Sequence, residues 1–161
     1  MAPKFSDEAD ASIEDLMDDK NLDVDFVVCE FEGMNKIVLT EAGKGGRDRV
    51  QEILEANPDK AMTGAFLALA VDDREVTRSI RRKYIQFTWM GPDLSPMRKG
   101  YVSGQTGVVN ERFSQCGLFL SLRDDLDDLA EDSIVKRLLS AGGAHAPTSF
   151  DFTNAALAED E

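Results

Sequence analysis

One histidine, two cysteines and one tryptophan in 161 residues leave little raw material for several kinds of chemistry. The histidine, His145, follows the last apolar-periodic segment, so Ser-His and Cys-His catalysis have no supported base. Cys29 and Cys116 lie far apart within apolar stretches and, with a lone histidine, fall short of the four ligands a structural zinc needs. They read as buried reduced thiols rather than as a disulfide framework. Long hydrophobic runs are missing too: the longest is Ala65 to Val71, whereas a membrane-spanning helix needs about 20 residues. The first ten residues carry acids and no apolar core, which reads against a secretory signal, and Ala2 reads against myristoylation. A cytoplasmic protein is expected. Basic residues are the scarcer sign, 18 Lys and Arg against 31 Asp and Glu, for a formal charge of -13. Such a balance repels phosphate backbones and anionic membrane surfaces, so neither nucleic acid nor membrane is an expected partner.

What is present is one domain's worth of ordinary soluble chain, 42% hydrophobic and 30% charged. The expected organisation is a single domain over residues 1–145 and a flexible acidic tail over 146–161, with a monomer assumed. Charge is unevenly spread. Residues 1–32 hold two basic residues against 11 acidic ones, and 116–161 hold three against ten. Between them, residues 71–115 carry eight basic residues against five acidic, with Arg81, Arg82 and Lys83 the densest cluster. A basic patch in an acidic protein suits an acidic protein partner, where local complementarity sets register and on-rate.

Hydrophobic periodicity orders the elements. Ile13, Leu16 and Met17 recur at helical spacing over Asp7 to Asp19. Asp23 to Glu32 and Lys36 to Thr40 read as a β-hairpin turned at Gly33. A glycine-rich turn, Ala42 to Gly46, leads into a helix over Arg47 to Ala56 that Asn57-Pro58 stops. Ala65 to Val71 and Lys83 to Met90 are nearly continuous apolar runs, as expected of central strands covered on both faces. Ser95 caps a third helix with Pro96 at its first position. Gly100, Gly104 and Gly107 predict a bend or break in it before Val108. Leu118 to Leu122 is a fifth strand, and a last helix starts near Asp124 and ends at Gly142-Gly143. The fold class is α/β, a five-stranded mixed sheet sandwiched between helices.

Three motif-like segments carry no chemistry. Gly43-Lys44-Gly45-Gly46 lacks the glycine spacing and the Lys-Ser/Thr pair of a phosphate loop. Asp19, Asn21, Asp23, Asp25 and Glu30 follow the spacing of a calcium loop, but Val24 stands where the sharp turn needs glycine. Asp124, Asp125, Asp127 and Asp128 read as a helix start and a solvated face. No metal or cofactor is expected.

Lys83-Tyr84-Ile85-Gln86-Phe87-Thr88-Trp89-Met90-Gly91 resembles the coactosin group of the actin-depolymerising-factor homology domains. That group runs from a basic stretch into an apolar strand, Thr-Trp and Gly. Lys36-Ile37-Val38, Ala65-Phe66-Leu67 and Ala141-Gly142-Gly143-Ala144 resemble further blocks of that family in the same order. The resemblance spans about residues 8 to 146. It implies a cytoskeletal, non-enzymatic protein that binds the side of filamentous actin without severing it. It assigns filament binding above all to Lys83, with Arg81 and Arg82 beside it, Arg98 and Lys99 on the third helix, and Lys136 and Arg137 on the last. Leu139-Ser140 stands where the group has a lysine pair, a departure from the pattern. Two alternatives stay open: a monomer-binding, depolymerising relative of the same fold, and an adaptor that binds a non-actin protein through the same basic face.

Overall fold

In the computed structural model, which describes residues 2–74, 76–142 and 146–159, the chain opens with a two-residue strand, β1 (Lys4–Phe5). Ser6 then caps α1 (Asp7–Met17), its hydroxyl accepting from the Ala9 amide at 3.2 Å. Asp7, Glu8 and Asp10 in the first turn suit the positive end of the helix dipole. Next come β2 (Phe26–Glu32), β3 (Lys36–Gly43), α2 (Gly46–Glu55), β4 (Ala61–Asp72) and β5 (Ser79–Met90). The third helical region is α3 (Pro96–Gly104) followed by α4 (Thr106–Arg112). β6 (Leu118–Arg123), α5 (Glu131–Ala141), β7 (Ser149–Asp151) and α6 (Ala155–Glu159) complete the described chain. None of its helices is long and apolar enough to cross a membrane.

The sheet runs β1-β3-β2-β4-β5-β6, with β7 also paired to β4. β5 and β6 are parallel, as are β1 and β3, and the other pairs are antiparallel. Alternation along each strand divides the core into two layers. On one face Ala65, Leu67 and Leu69 of β4 meet Ile13 and Leu16 of α1, Val102 of α3 and Val109 of α4. On the other, Met62 and Phe66 of β4 and Ile85, Phe87 and Trp89 of β5 meet α2 through Val50 and Leu54 and α5 through Ile134 and Leu138. Covered on both sides, β4 is buried from Ala61 to Val71. Gly64 is what lets β2 lie against it there, since a Cβ would sit 1.9 Å from the Val27 carbonyl oxygen.

The five expected strands are all present, and the glycine-bearing helix breaks as expected, at Gln105. Three features correct the sequence reading. Two short strands, β1 and β7, extend the sheet. The last helix starts at Glu131 rather than near Asp124, because Asp124 takes a left-handed conformation (φ 69°) and Asp127–Leu129 wind into a separate 3₁₀ turn. The tail expected to be flexible from 146 onward instead packs. β4 is twelve residues long and β2 covers it only as far as Phe66. β7 takes the vacant edge, pairing Asp151, Phe150 and Ser149 with Leu69, Ala70 and Val71, and buries Phe152 and Ala156 behind it. His145 lies outside the described residues.

Candidate protein-binding surface

β5 outlasts its neighbour, and that overhang exposes the basic run. β6 joins β5 only from Ile85 onward, so among the described residues Ser79 to Lys83 present one free strand edge. Three consecutive residues of a strand cannot share a face, and the structure separates them accordingly. Arg81 and Lys83 alternate with Ile85, Phe87 and Trp89 and therefore point to the α2–α5 side; Arg82 points to the α1–α3 side. In register with Arg81 and Lys83 on β4 are Ala70 and Ala68. Such small neighbours leave room for long basic stems to cover apolar surface with their charged ends toward water. Arg81 is exposed and Lys83 half-buried, and neither makes an ion pair among the described residues. A recess of about 220 Å3 opens beside them, walled also by Asp72, Ser79, Ala146 and Pro147.

α5 lies over the same face. Lys136 and Arg137 are exposed on it, and the Arg137 guanidinium donates to the Phe119 carbonyl of β6 at 3.3 Å. Phe119 is in register with Gln86, three residues along β5 from Lys83. Arg81, Lys83, Lys136 and Arg137 thus gather on one side of the sheet.

Arg98 and Lys99 sit elsewhere. α3 starts beyond the far end of β5, and the seven residue steps from Lys83 to Met90 span roughly 23 Å of strand. Both side chains are also committed within the chain. Arg98 donates to the Phe31 carbonyl at 3.1 Å, and its guanidinium carbon stands 5.2 Å from the Tyr101 ring centre. The Lys99 ammonium pairs with Asp124 at 2.9 Å, with only 16% of its side chain exposed.

Sequence reasoning missed two exposed methionines at that end, Met97 (87% exposed) and Met34 (61%). They flank Arg98, whose guanidinium approaches the Met34 sulfur at 3.7 Å. A signal was available for Met97: it precedes the buried Val102 by five residues, about 140° around the helix, and so stands off the apolar stripe. The hairpin turn that carries Met34 has no periodicity to read.

Burial pushes the Cys116 thiol up to about 12. Burial does the same to Cys29, with nearby Asp10 adding to it and Arg112 opposing it, again to about 12. Both thiols are therefore poor nucleophiles. No three His, Cys, Asp or Glu side chains converge among the described residues to hold a metal. Asp25, drawn into the calcium-loop spacing, instead accepts from the Gly45 and Gly46 amides at 3.0 and 2.9 Å and fastens the turn before α2. Phe87 and Trp89 are core residues, the Trp89 indole donating to the Asn57 carbonyl at 3.0 Å.

Residues 3–139 match the family model for cofilin/tropomyosin-type actin-binding protein. Coactosin of Dictyostelium discoideum is 28% identical over 144 residues, covering 89% of this chain and 94% of that protein. Coactosin of Entamoeba histolytica is 31% identical over 134 residues, covering 82% of this chain and 86% of that one. A crystal structure of Entamoeba histolytica coactosin superposes with a TM-score of 0.74 over 89% of this chain and 99% of that one, at 26% identity. The solution structure of mouse coactosin, an actin filament binding protein, shares the fold with a TM-score of 0.65 over 89% of this chain and 95% of that one, at 24% identity.

Proposed function

The chain belongs to the cofilin/tropomyosin-type actin-binding proteins, and from that premise we propose that it binds the side of actin filaments through the Arg81–Lys83 face of β5 and the neighbouring face of α5. The observation that carries this reading is the pair Arg81 and Lys83. They project from a free strand edge over alanines, without internal partners among the described residues, in a chain that is otherwise strongly acidic. A like-charged protein meets an acidic filament productively only where its few unpaired cations are concentrated. Lys136 and Arg137 extend that field along α5. The exposed Met34 and Met97 beside Arg98 form a second contact surface at the other end of β5, apolar where the first is charged. Large side chains with a charged neighbour are the composition that anchors interfaces.

The function is binding rather than catalysis, carried out in the cytoplasm on the actin cytoskeleton. The acid-rich first 32 residues oppose close approach of α1 to an acidic partner and favour side-binding without severing. High-speed co-sedimentation with actin filaments tests the reading. Pelleting that weakens as salt is raised, together with unchanged nucleotide exchange on monomeric actin, is the expected pair of results. Slowed exchange without pelleting would assign the chain to monomers, and neither effect would give the basic face to a different acidic protein.

A further inference from the structure

The methionines among the described residues divide sharply. Met62 and Met90 are buried and Met17 is half-buried, whereas Met34 and Met97 stand in water. A single exposed apolar side chain on a surface is ordinary. These two are instead held together by the elements that carry them. Arg98, next to Met97 on α3, reaches across to the β2–β3 turn, where one Nη donates to the Phe31 carbonyl and the other approaches Met34 Sδ at 3.7 Å. Tyr101, about one helical turn further on, donates its hydroxyl to the Met34 carbonyl, and its ring faces the same guanidinium. The turn is thereby tied to α3, and both thioethers sit in one patch around Arg98.

We propose that Met34 and Met97 form an oxidation site, converted to methionine sulfoxide by hydrogen peroxide, and that the conversion releases the partner docked on them. The second half rests on the reading of this end as a contact surface. In the step, the thioether lone pair attacks one peroxide oxygen, the O–O bond breaks and an S–O bond forms. The hydroxide that leaves takes the proton of the transferred hydroxyl and departs as water, so the sulfur is oxidised and the peroxide reduced. Susceptibility follows exposure, which selects these two over the other three described methionines. The thiols do not compete, because Cys29 and Cys116 are buried and burial keeps both protonated. Sulfoxide formation turns a flexible apolar side chain into a polar one and disrupts contacts built on methionine. At Met34 it also changes a bond. A thioether sulfur is a weak acceptor, but the sulfoxide oxygen is a strong one, and the Arg98 Nη already aimed at that sulfur becomes its donor. Oxidation therefore both wets the apolar surface and takes up charge beside it. Sulfoxide reductases, one for each epimer, reverse the change.

The test oxidises the full chain with graded hydrogen peroxide, removes the peroxide with catalase, and only then adds actin filaments, so that the filaments stay unoxidised. Peptide mass mapping reads the site without reference to any partner. An added oxygen at Met34 and Met97 ahead of Met17, Met62 and Met90 is expected; equal or earlier oxidation of the buried methionines would overturn the site. Co-sedimentation reads the consequence against unoxidised protein. Affinity should fall by about fivefold or more, the loss carried by a side chain that anchors a contact, and should return on treatment with the two reductases. A protein with both Met34→Leu and Met97→Leu keeps apolar side chains at these exposed positions; it should pellet like the parent and ignore peroxide. Oxidised parent that pellets undiminished, or a double variant that loses affinity as the parent does, would overturn the proposal. Failure of the unoxidised parent to pellet would count against the functional reading instead, and the mapping would still decide the site.

Discussion

Asp25 shows how a residue read for one purpose serves another. Its carboxylate sits 6% exposed between two glycine amides and the Asn154 side chain, so it holds the β3–α2 turn and the C-terminal segment together. Removing it strands three donors at once, and each buried unsatisfied group costs about 1–3 kcal/mol. Asp25→Ala is expected to lose about 2–4 kcal/mol in urea unfolding and Asp25→Asn clearly less, because one acceptor oxygen remains. Equal, small losses in both would contradict that role. The spacing of acids around Asp25 was visible in the sequence; its partners were not, because Gly45, Gly46 and Asn154 come to it from 20, 21 and 129 residues away. The basic run was legible in the same limited way. Arg81, Arg82 and Lys83 stand out as charge, but their division between two faces follows only once the strand is known to begin at Ser79 rather than at Lys83.

At the scale of elements, apolar pattern and glycine placement carried the five strands and the break between α3 and α4. Gly100 lies within α3 with open space where a Cβ would be. Gly100→Ala should therefore stabilise the protein by about 0.5–1 kcal/mol through helix propensity and reduced freedom of the unfolded chain. Chemical denaturation reads this, and a loss of stability would mean that the helix needs the glycine for a close approach. β7 was not legible because Ser-Phe-Asp is too short for any period. It is a strand only because β4 offers unpaired edge beyond β2. Its turn is fastened by Asp151. Burial pushes that carboxyl up, but bonds from the Thr153 hydroxyl and from the amides of Ala156, Thr153 and Asn154 outweigh it and hold it below its ordinary 3.8. A depressed carboxyl stabilises fully above its unfolded pKa and less as pH falls through its folded one. Hydrogen exchange in residues 149–157 should accordingly speed up, relative to β4, as pH drops below 3.8, and Asp151→Asn should remove that pH dependence. Exchange that stays flat in the parent would show that the bonds to Asp151 do not hold the segment.

Over the whole molecule, charge and fold divide the work. The acidic ends repel acidic surfaces generally, while the overhang of β5 presents Arg81 and Lys83, which make no ion pair among the described residues. Family membership supplies actin as the partner's class, and the geometry proposes where it lands. The most direct measurement is co-sedimentation of Lys83→Glu with actin filaments, beside the parent and beside Lys99→Glu, whose wild-type ammonium is already paired with Asp124. Removing one side of a close interfacial charge pair costs about 2–5 kcal/mol. Pelleting of a folded Lys83→Glu protein should therefore fall by tenfold or more in affinity, with Lys99→Glu affected far less. Undiminished pelleting of Lys83→Glu would contradict the account.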